Sequence, residues 1–495
     1  MIPADFAERY GRGEAQVVSR RLVDDLETPV SAYLKAGLGR PYAFLFESVE
    51  GGAWRGRYSI LTVAPDLVWR CRDGRAEVAR GPDAVASGRF EPDAADALDS
   101  LRLVISQSRI ELPVDLPPMA AGLFGVFGYD MVRLVEPIGP AKPDPLGLPD
   151  AVLARPSVVA VFDGVAQEII LCTPVRPTAD VGAGDALTAA EARLDAFAAD
   201  LRRSLPAQPA PVPAEPPVLM SDLDEAAYRR VVERARDYIG AGDIFQVVAG
   251  HRFSGPVEFE PFAFYRSLRR TNPSPFLFHL DFGDFHLSGS SPEILVRLRG
   301  GEVTIRPLAG TRPRGATPEE DARLEAELLA DPKERAEHLM LLDLGRNDVG
   351  RVAEPGSVEV TRSFYIERYS HVMHIVSNVV GKARKGLDAV EALTAALPAG
   401  TLSGAPKVRA MQIIDELETT KRGVGYGGAA GYIGAGGEID ACIVLRTALF
   451  KDGQMHVQAG AGLVADSDPA MEYAETLHKS AALKRAAEEA WRFGR

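Results

Sequence analysis

Two pairs of glutamates in the C-terminal half carry the clearest chemistry in this sequence. Glu334 and Glu337 lie in KERAEHLMLLDLGRND, and Glu472 and Glu475 lie in DPAMEYAETLHK. Both stretches favour helix, so the i, i+3 spacing places each pair on one helix face. If the two helices face each other, up to four carboxylates meet, an arrangement that a hard cation such as Mg²⁺ stabilises through oxygen ligands. Two solvated helix faces are the alternative, and they are the commoner case for a single Glu-x-x-Glu.

Three glycine-bearing segments would let backbone N–H groups approach a small anion closely. They are RPLAGTRPRG (306–315), PAGTLSGAPK (398–407) and QAGAGLVAD (458–466), which follows a strand. The candidate ligand groups in these segments and in the strand CIVLRTALF are Gly310, Thr311, Thr401, Gly460, Ala461, Gly462 and Arg446. Ordinary turns are the alternative for each segment, and no Walker A or GxGxxG motif supports nucleotide binding. Together the segments fit a small carboxylated substrate better than a phosphate.

Two residues are candidates for proton transfer. Glu293, in SGSSPEILVRL, precedes a strand, and burial there would raise the pKa of its carboxyl group. A turn residue capped by neighbouring N–H groups is the alternative. His371 and His374 lie in RYSHVMHIVSNV, where strand alternation would point them to opposite faces. We favour His374 as a proton donor or hydrogen-bonding group, although most histidines in such stretches are core or surface residues.

The scaffold that must position these groups is predicted to be α+β. Residues 1–204 combine short strands and loops with a helix predicted at 183–204, and a proline-rich linker at 205–220 precedes residues 221–495. In this last part, strands joined by short turns alternate with helices, so much of the sheet should be antiparallel. The helices are predicted at 317–345, 386–397, 404–417 and 468–491.

Composition excludes several classes of protein. The chain of 495 residues has a net charge of −13, which argues against a nucleic-acid-binding protein. No run approaches the ~20 apolar residues of a membrane span. The three cysteines, Cys71, Cys172 and Cys442, form no CxxC motif, and the first residues lack the apolar core of a signal peptide. We therefore expect a cytoplasmic protein.

Taken together, the motifs resemble those of the chorismate-utilising enzymes, and most closely those of the anthranilate-forming branch. The matching stretches, in family order over residues 45–485, are LFESVE, GRYS, NPSPFLF, SSPEILVRL, RPLAGTRPRG, KERAEHLMLLDLGRNDVGRV, VMHIVS, PAGTLSGAPK, YGGAAGYIG, CIVLRTALF, QAGAGLVADSDP and EYAETLHKSAAL. The resemblance implies two large packed, mostly antiparallel β-sheets surrounded by helices, with a regulatory portion at 1–204 and a chorismate-binding catalytic domain at 221–495. It also implies a Mg²⁺-dependent reaction of chorismate with ammonia that releases pyruvate.

The resemblance further implies a role for each matched residue. Glu337 and Glu475 would bind Mg²⁺ directly, and Glu334 and Glu472 would hold its waters. The residues expected to line the substrate site are Gly310, Thr311, Tyr426, Arg446, Gly460, Ala461, Gly462 and Lys479. Ammonia would add at C2 while the C4 hydroxyl leaves, with Glu293 or His374 as the proton donor and Thr401 near the ring.

Position 309 separates the close relatives. Relatives that make 4-amino-4-deoxychorismate carry a lysine there, whereas this chain has Ala309, which favours anthranilate formation for tryptophan biosynthesis. A 4-amino-4-deoxychorismate or isochorismate synthase and a non-catalytic amino-acid sensor remain alternatives. The chain shows neither a Gly-x-Cys-x-Gly nor a Gly-x-Ser-x-Gly nucleophile motif. Ammonia should therefore come from a glutamine amidotransferase subunit in a hetero-oligomer.

A feedback site for L-tryptophan is also implied. Glu47 and Ser48 would meet the ammonium and polar edge of the amino acid, and an apolar wall would consist of Pro275, Phe276, Leu277 and Phe278. Core packing is the alternative for these aromatic residues. Phe276 and Leu277 differ from the more usual Tyr-Met of the family.

Overall fold

The strands and helices of the protein were assigned in a computed structural model. It describes residues 4–23, 26–48, 56–207, 213, 215–369 and 372–494. The strands are β1 (Gln16–Val23), β2 (Phe44–Glu47), β3 (Tyr58–Arg72), β4 (Arg75–Arg80), β5 (Glu91–Pro92), β6 (Gly122–Phe127), β7 (Ala151–Asp163), β8 (Glu168–Val175), β9 (Met220–Ser221), β10 (Gln246–Pro256), β11 (Phe276–Asp281), β12 (His286–Ser291), β13 (Ile294–Arg299), β14 (Glu302–Ile305), β15 (Leu308–Pro313), β16 (Glu359–Arg368), β17 (Val372–Lys382), β18 (Gly404–Ala405), β19 (Ala429–Gly434), β20 (Ile439–Ile443), β21 (Thr447–Lys451) and β22 (Gln454–Leu463).

Helices surround these strands. They are α1 (Ala4–Gly11), α2 (Pro29–Ala32), α3 (Pro82–Ala86), α4 (Ala97–Gln107), α5 (Ala183–Leu201), α6 (Glu225–Gly240), α7 (Pro261–Thr271), α8 (Pro318–Ala330), α9 (Pro332–Gly350), α10 (Ala389–Ala396), α11 (Lys407–Leu417) and α12 (Pro469–Glu489). Within the described ranges, no helix combines the length and the apolar character needed to cross a membrane.

The sheet divides into two arms that start from the long paired strands β3 and β7. One arm runs from β7 through β6, β19, β20, β13 and β14 to β17, which also pairs with β15 and β16. The other runs from β3 through β2, β11, β12, β21 and β22 to β10. All of these pairings are antiparallel, so the predicted α+β class with large antiparallel sheets and outer helices is confirmed.

Residues before and after the predicted linker share these sheets and one core. Strand β2 pairs with β11, and β6 pairs with β19. One apolar cluster contains Trp69 and Leu101 from the first part together with Val303 and Leu393 from the second. The division at 205–220 stays a prediction, and residues 208–212 and 214 of that linker lie outside the described residues.

The single helix predicted at 317–345 is wrong, because the structure has two helices there. Pro332 has no N–H to continue α8, and Asp331 ends α8 and caps α9 by accepting a hydrogen bond from the Lys333 N–H at 2.9 Å. As a consequence, Glu334 lies in the first turn of α9 and Glu337 one turn further along.

Candidate active site

The four glutamates singled out in the sequence lie near the N-terminal ends of α9 and α12. Asp468 caps α12 as Asp331 caps α9, and Glu472 falls in the first turn of α12. Helix α9 spans the gap between the two arms of the sheet. On one side, Glu334 Oε2 lies 3.2 Å from the position of a Cβ built on Gly310 of β15; on the other, Glu337 Oε1 lies 4.0 Å from a Cβ built on Gly462 of β22.

The carboxylates of the two helices are close enough to influence one another. Burial raises the pKa of Glu337, and the negative charges of Glu334 and Glu475 raise it further. Burial likewise raises the pKa of Glu472, with a contribution from Glu475. Because like charges oppose ionisation, these shifts indicate that the two pairs converge in one electrostatic cluster.

Cationic and polar side chains of the protein contact the glutamates of this cluster. Lys479 lies 2.7 Å from Glu475 Oε1, and Arg312 lies 2.8 Å from Glu334 Oε1. Ser467 donates to Glu472 Oε1 at 2.6 Å, whereas Glu472 Oε2 is buried without a partner in the described part of the chain.

Two features of this donor set decide whether it fits a divalent cation. Among the described residues, no three or more His, Cys, Asp and Glu side chains are close enough together to form a closed metal site. The chemistry nevertheless fits, because the donors are all carboxylates, they repel one another, and Glu472 has an unused oxygen. Oxygen-only sets of this kind suit Mg²⁺.

Glycines on β22 let neighbouring groups pack closely against the strand beside these carboxylates. A Cβ at Gly460 would lie 2.8 Å from the Ala249 carbonyl oxygen and 2.9 Å from the Tyr426 hydroxyl, and a Cβ at Gly462 would lie 2.7 Å from Gln246 Nε2. Lys479 Nζ donates to the Gly460 carbonyl at 3.0 Å. The interpretation that these glycines follow a strand is wrong, because they lie within β22.

Ala461 differs from its two glycine neighbours. Its side chain belongs to an apolar cluster with Tyr228 and Ile413, because alternate residues of a strand face opposite sides. Only the backbone of Ala461 is therefore in a position to contact a substrate.

His374 on β17 hydrogen-bonds to the bulged segment of β15. Its Nδ1 lies 3.1 Å from the Gly310 carbonyl oxygen and 3.0 Å from Thr311 Oγ1. A carbonyl oxygen only accepts, so the bond to Gly310 assigns the proton to Nδ1 and leaves Nε2 as an acceptor. Nε2 is buried without a partner in the described part of the chain, and burial lowers the pKa of His374 to about 4. At neutral pH, the Nε2 atom of His374 is therefore available as a hydrogen-bond acceptor at this site. His371 lies outside the described residues.

The neutral Nδ1–H tautomer of His374 predicts how its replacement affects turnover. Replacing His374 with alanine removes the Nε2 acceptor and should lower kcat about tenfold, within the range of one hydrogen bond. The shape of the pH–rate profile between pH 6 and 8 should not change, because the imidazole is already neutral there. If the wild-type profile contains an inflection near pH 6.5 that the variant lacks, the assignment is wrong.

The carboxyl group of Glu293 is chemically suited to donate a proton. It is buried in the short connection between β12 and β13, and Thr401 Oγ1 donates to its Oε2 at 3.2 Å. Burial raises the pKa of Glu293 to about 8, even though Thr401, the Leu308 N–H and Arg446 all favour the charged form. The carboxyl group thus holds its proton at neutral pH, as a general acid must.

Arg446, immediately before β21, supplies an uncommitted positive charge. Within the described residues, its guanidinium makes neither a salt bridge nor a side-chain hydrogen bond, and burial lowers its pKa. The residue has a φ of +48°, an uncommon conformation for a side-chain-bearing residue that recurs at functional sites. A planar guanidinium without a partner suits a carboxylate ligand.

Sequence reasoning missed Gln246 at the start of β10. Its Nε2 donates to Glu337 Oε1 at 3.4 Å, and its Oε1 is buried without a partner among the described residues. The available signal was a single amide side chain in the apolar run IFQVVAG.

The residues proposed for tryptophan binding meet where β2 pairs with β11, with Glu47 opposite Leu277. Glu47 is buried and already accepts hydrogen bonds from Tyr265 and from Arg269 at 2.9 and 3.0 Å. Ser48 Oγ is buried without a partner among the described residues, and the Phe278 ring covers Gly289. In the remainder of the apolar wall, Phe276 is partly exposed and Pro275 is buried.

Comparison with known proteins places this chain in a family. The family model of the chorismate binding enzymes matches residues 64–485. Anthranilate synthase component 1 of Cereibacter sphaeroides is 56% identical over 493 residues, covering 99% of this chain and 98% of the relative. The chain therefore belongs to the chorismate-binding enzyme family and, within it, to the anthranilate synthase component 1 group.

Solved structures agree with this assignment. Anthranilate synthase component I from Streptococcus pneumoniae TIGR4 superposes with a TM-score of 0.76 at 38% identity, covering 94% of this chain and 99% of that one. The menaquinone-specific isochorismate synthase MenF from Escherichia coli, at 20% identity and a TM-score of 0.72, covers 96% of this chain and 95% of its own and shares the fold.

Proposed function

We propose that this protein converts chorismate and ammonia to anthranilate, pyruvate and water. The observation that carries the proposal is the placement of the buried carboxyl group of Glu293 beside the unpaired guanidinium of Arg446, near the cluster of four glutamates. The close identity to anthranilate synthase component 1 of Cereibacter sphaeroides over nearly the whole chain supports the same reaction.

Each side chain has a definite task in this reaction. Arg446 binds a carboxylate of chorismate. Glu293 gives its proton to the C4 hydroxyl, which leaves as water while ammonia forms the new C–N bond at C2. His374 Nε2 accepts a hydrogen bond and helps to orient the ring. Loss of the enolpyruvyl group as pyruvate then leaves the aromatic product.

The small side chain at position 309 favours anthranilate over the alternative products. Ala309 lies on β15 beside Gly310 and is 8% exposed. It leaves room for ammonia and offers no amine that could attack C2 in its place. Formation of 4-amino-4-deoxychorismate or isochorismate in place of anthranilate is an alternative result of the product assay.

Mg²⁺ is proposed as the cofactor. Glu337 and Glu475 would hold it directly, and Glu334 and Glu472 would hold its waters. When bound, it would neutralise the ring carboxylate of chorismate and the mutual repulsion of the four glutamates. Lys479, which now pairs with Glu475, is well placed to exchange this contact for one with the substrate.

The experiment supplies the chain alone with chorismate, Mg²⁺ and ammonium at high pH, where ammonia is abundant. Fluorescent anthranilate should accumulate, with pyruvate in equal amount. Chromatography distinguishes 4-amino-4-deoxychorismate or isochorismate as the product. Tryptophan binding by calorimetry without any turnover would instead favour the non-catalytic sensor.

A glutamine amidotransferase subunit is the proposed partner, because the names of the relatives designate a first component and because no glutaminase nucleophile motif occurs in the sequence. Glutamine should support turnover only after such a subunit is added, in a hetero-oligomer. A cytoplasmic location is also proposed, in agreement with Cys71, Cys172 and Cys442, which are all buried and unpaired.

L-Tryptophan is proposed as a feedback inhibitor that binds beside Ser48. Replacing Ser48 with alanine removes the unsatisfied hydroxyl and should raise the tryptophan concentration for half-inhibition about tenfold, the effect of one buried hydrogen bond. The KM for chorismate should stay within about twofold of wild type, because strands β11 and β12 lie between β2, which ends next to Ser48, and β21, which begins next to Arg446. Unchanged inhibition would remove Ser48 from the effector site. Because Arg269 already neutralises Glu47, the ligand ammonium must share or displace that contact.

A further inference from the structure

A small cavity extends from Glu293 away from the glutamate cluster. It has a volume of about 30 Å³, room for about two water molecules. Glu293 and Thr401 line one part, and Gly345 and Asp348 of α9 line another. Most of the remaining wall is apolar, with Leu341 and Leu344 among its residues.

An ion pair that the reaction does not otherwise use adjoins this cavity. Lys407 Nζ, at the first residue of α11, lies 2.8 Å from Asp348 Oδ2, and both side chains are less than 10% exposed. Asp348 Oδ1 has no hydrogen-bond partner among the described residues. Burial raises the pKa of Asp348, opposed by Lys407 and Arg351. An apolar pair of the same volume is often at least as stable as such an ion pair, so stability alone does not account for it.

The proposed reaction leaves Glu293 without its proton once per turnover. The groups that face its carboxyl are Thr401, the Leu308 N–H and Arg446. None of these is an acid that can replace the lost proton at neutral pH. A buried general acid therefore needs a connection to another proton source.

We propose that water in this cavity connects Glu293 to the Asp348–Lys407 pair and returns a proton to Glu293 after each turnover. The inference rests on the proposed function. As the C4–O bond breaks, Glu293 protonates the departing oxygen and becomes a carboxylate. Lys407 passes a proton to Asp348, the cavity water gains that proton and hands one on to Glu293, and Lys407 regains a proton from solvent. The new amine nitrogen releases one proton to solvent, so the cycle balances.

The test separates the first turnover from later ones. The double variant Asp348→Asn/Lys407→Met removes both charges and avoids an unpaired buried charge. Its first turnover, followed by rapid mixing with chorismate, ammonium and Mg²⁺, should run at the wild-type rate. Later turnovers should be about tenfold slower, at the low end of what one proton transfer contributes, which gives a burst of one anthranilate per chain and a larger solvent deuterium isotope effect on kcat.

Two further variants keep the result interpretable. Leu344→Phe, which fills the cavity without touching the ion pair, should give the same burst. Asp150→Asn/Lys421→Met removes another buried pair, joined at 2.6 Å outside this cavity, and should give no burst. The relay is overturned if the first and later turnovers of the Asp348→Asn/Lys407→Met variant slow equally. It is also overturned if neither this variant nor Leu344→Phe shows a burst. If wild type makes no anthranilate, the proposed function fails, and the relay with it.

Discussion

Replacing Glu293 with glutamine is expected to lower kcat for anthranilate formation at least ~100-fold, the lower limit for loss of a general acid. Glutamine keeps the size of the side chain and can still accept the Thr401 hydrogen bond, so chorismate should bind with a similar KM. Because hydroxide is a poor leaving group, the loss falls on the step in which the C4–O bond breaks. Steady-state kinetics with ammonium as the nitrogen source measure this directly.

Although it lowers activity, the Glu293→Gln substitution should increase the free energy of unfolding above pH 4.5. Burial raises the pKa of Glu293 from 4.5 to about 8, so the folded state retains a proton that the unfolded state loses. The associated stability is fully present below pH 4.5 and is lost as pH rises towards 8, by up to about 1.4 kcal/mol per pH unit. Relative to wild type, Glu293→Gln should therefore become increasingly stable over this range, as measured by denaturant unfolding.

Glu302→Gln provides the matched control for this prediction. Glu302 is an exposed residue at the start of β14, so its replacement should leave kcat unchanged. Two results would count against Glu293 as the acid: kcat within tenfold of wild type, or a stability difference that stays constant with pH.

Sequence patterns predicted the groups whose chemistry depends on local spacing. The i, i+3 pairs around Glu337 and Glu475 required only helix, and both segments are helical. The antiparallel sheets followed from short turns between apolar runs, because such turns allow only antiparallel pairing. The motifs LFESVE and NPSPFLF were assigned to one predicted tryptophan site because both occur in the family that the sequence resembles.

The remaining features depend on contacts between distant residues. The His374 tautomer is fixed by the hydrogen bond that its Nδ1–H donates to the Gly310 carbonyl on another strand, and the sequence alone does not show this contact. Likewise, the pairing of Glu47 with Arg269 and the contact of Gln246 with Glu337 join segments far apart in the chain. No local pattern specifies such contacts.

Removing one carboxylate from the cluster is expected to abolish turnover and to stabilise the metal-free protein. Glu337→Gln or Glu475→Gln should lower kcat by more than ~100-fold if Mg²⁺ is held there, in line with loss of a metal ligand. Without Mg²⁺, Glu337→Gln should raise Tm by about 1–2 °C, because burial and the charges of Glu334 and Glu475 disfavour the ionised Glu337.

Thermal unfolding with and without Mg²⁺ separates these effects. Mg²⁺ that binds only the folded state should raise the Tm of wild type, and this rise should be lost in both variants. Glu488→Gln, an exposed position on α12, is the control and should keep the wild-type response. If Mg²⁺ stabilises Glu337→Gln and Glu475→Gln as much as wild type, the cation binds elsewhere. The converging glutamates would then act only through their negative charge, which alone would repel the carboxylates of chorismate.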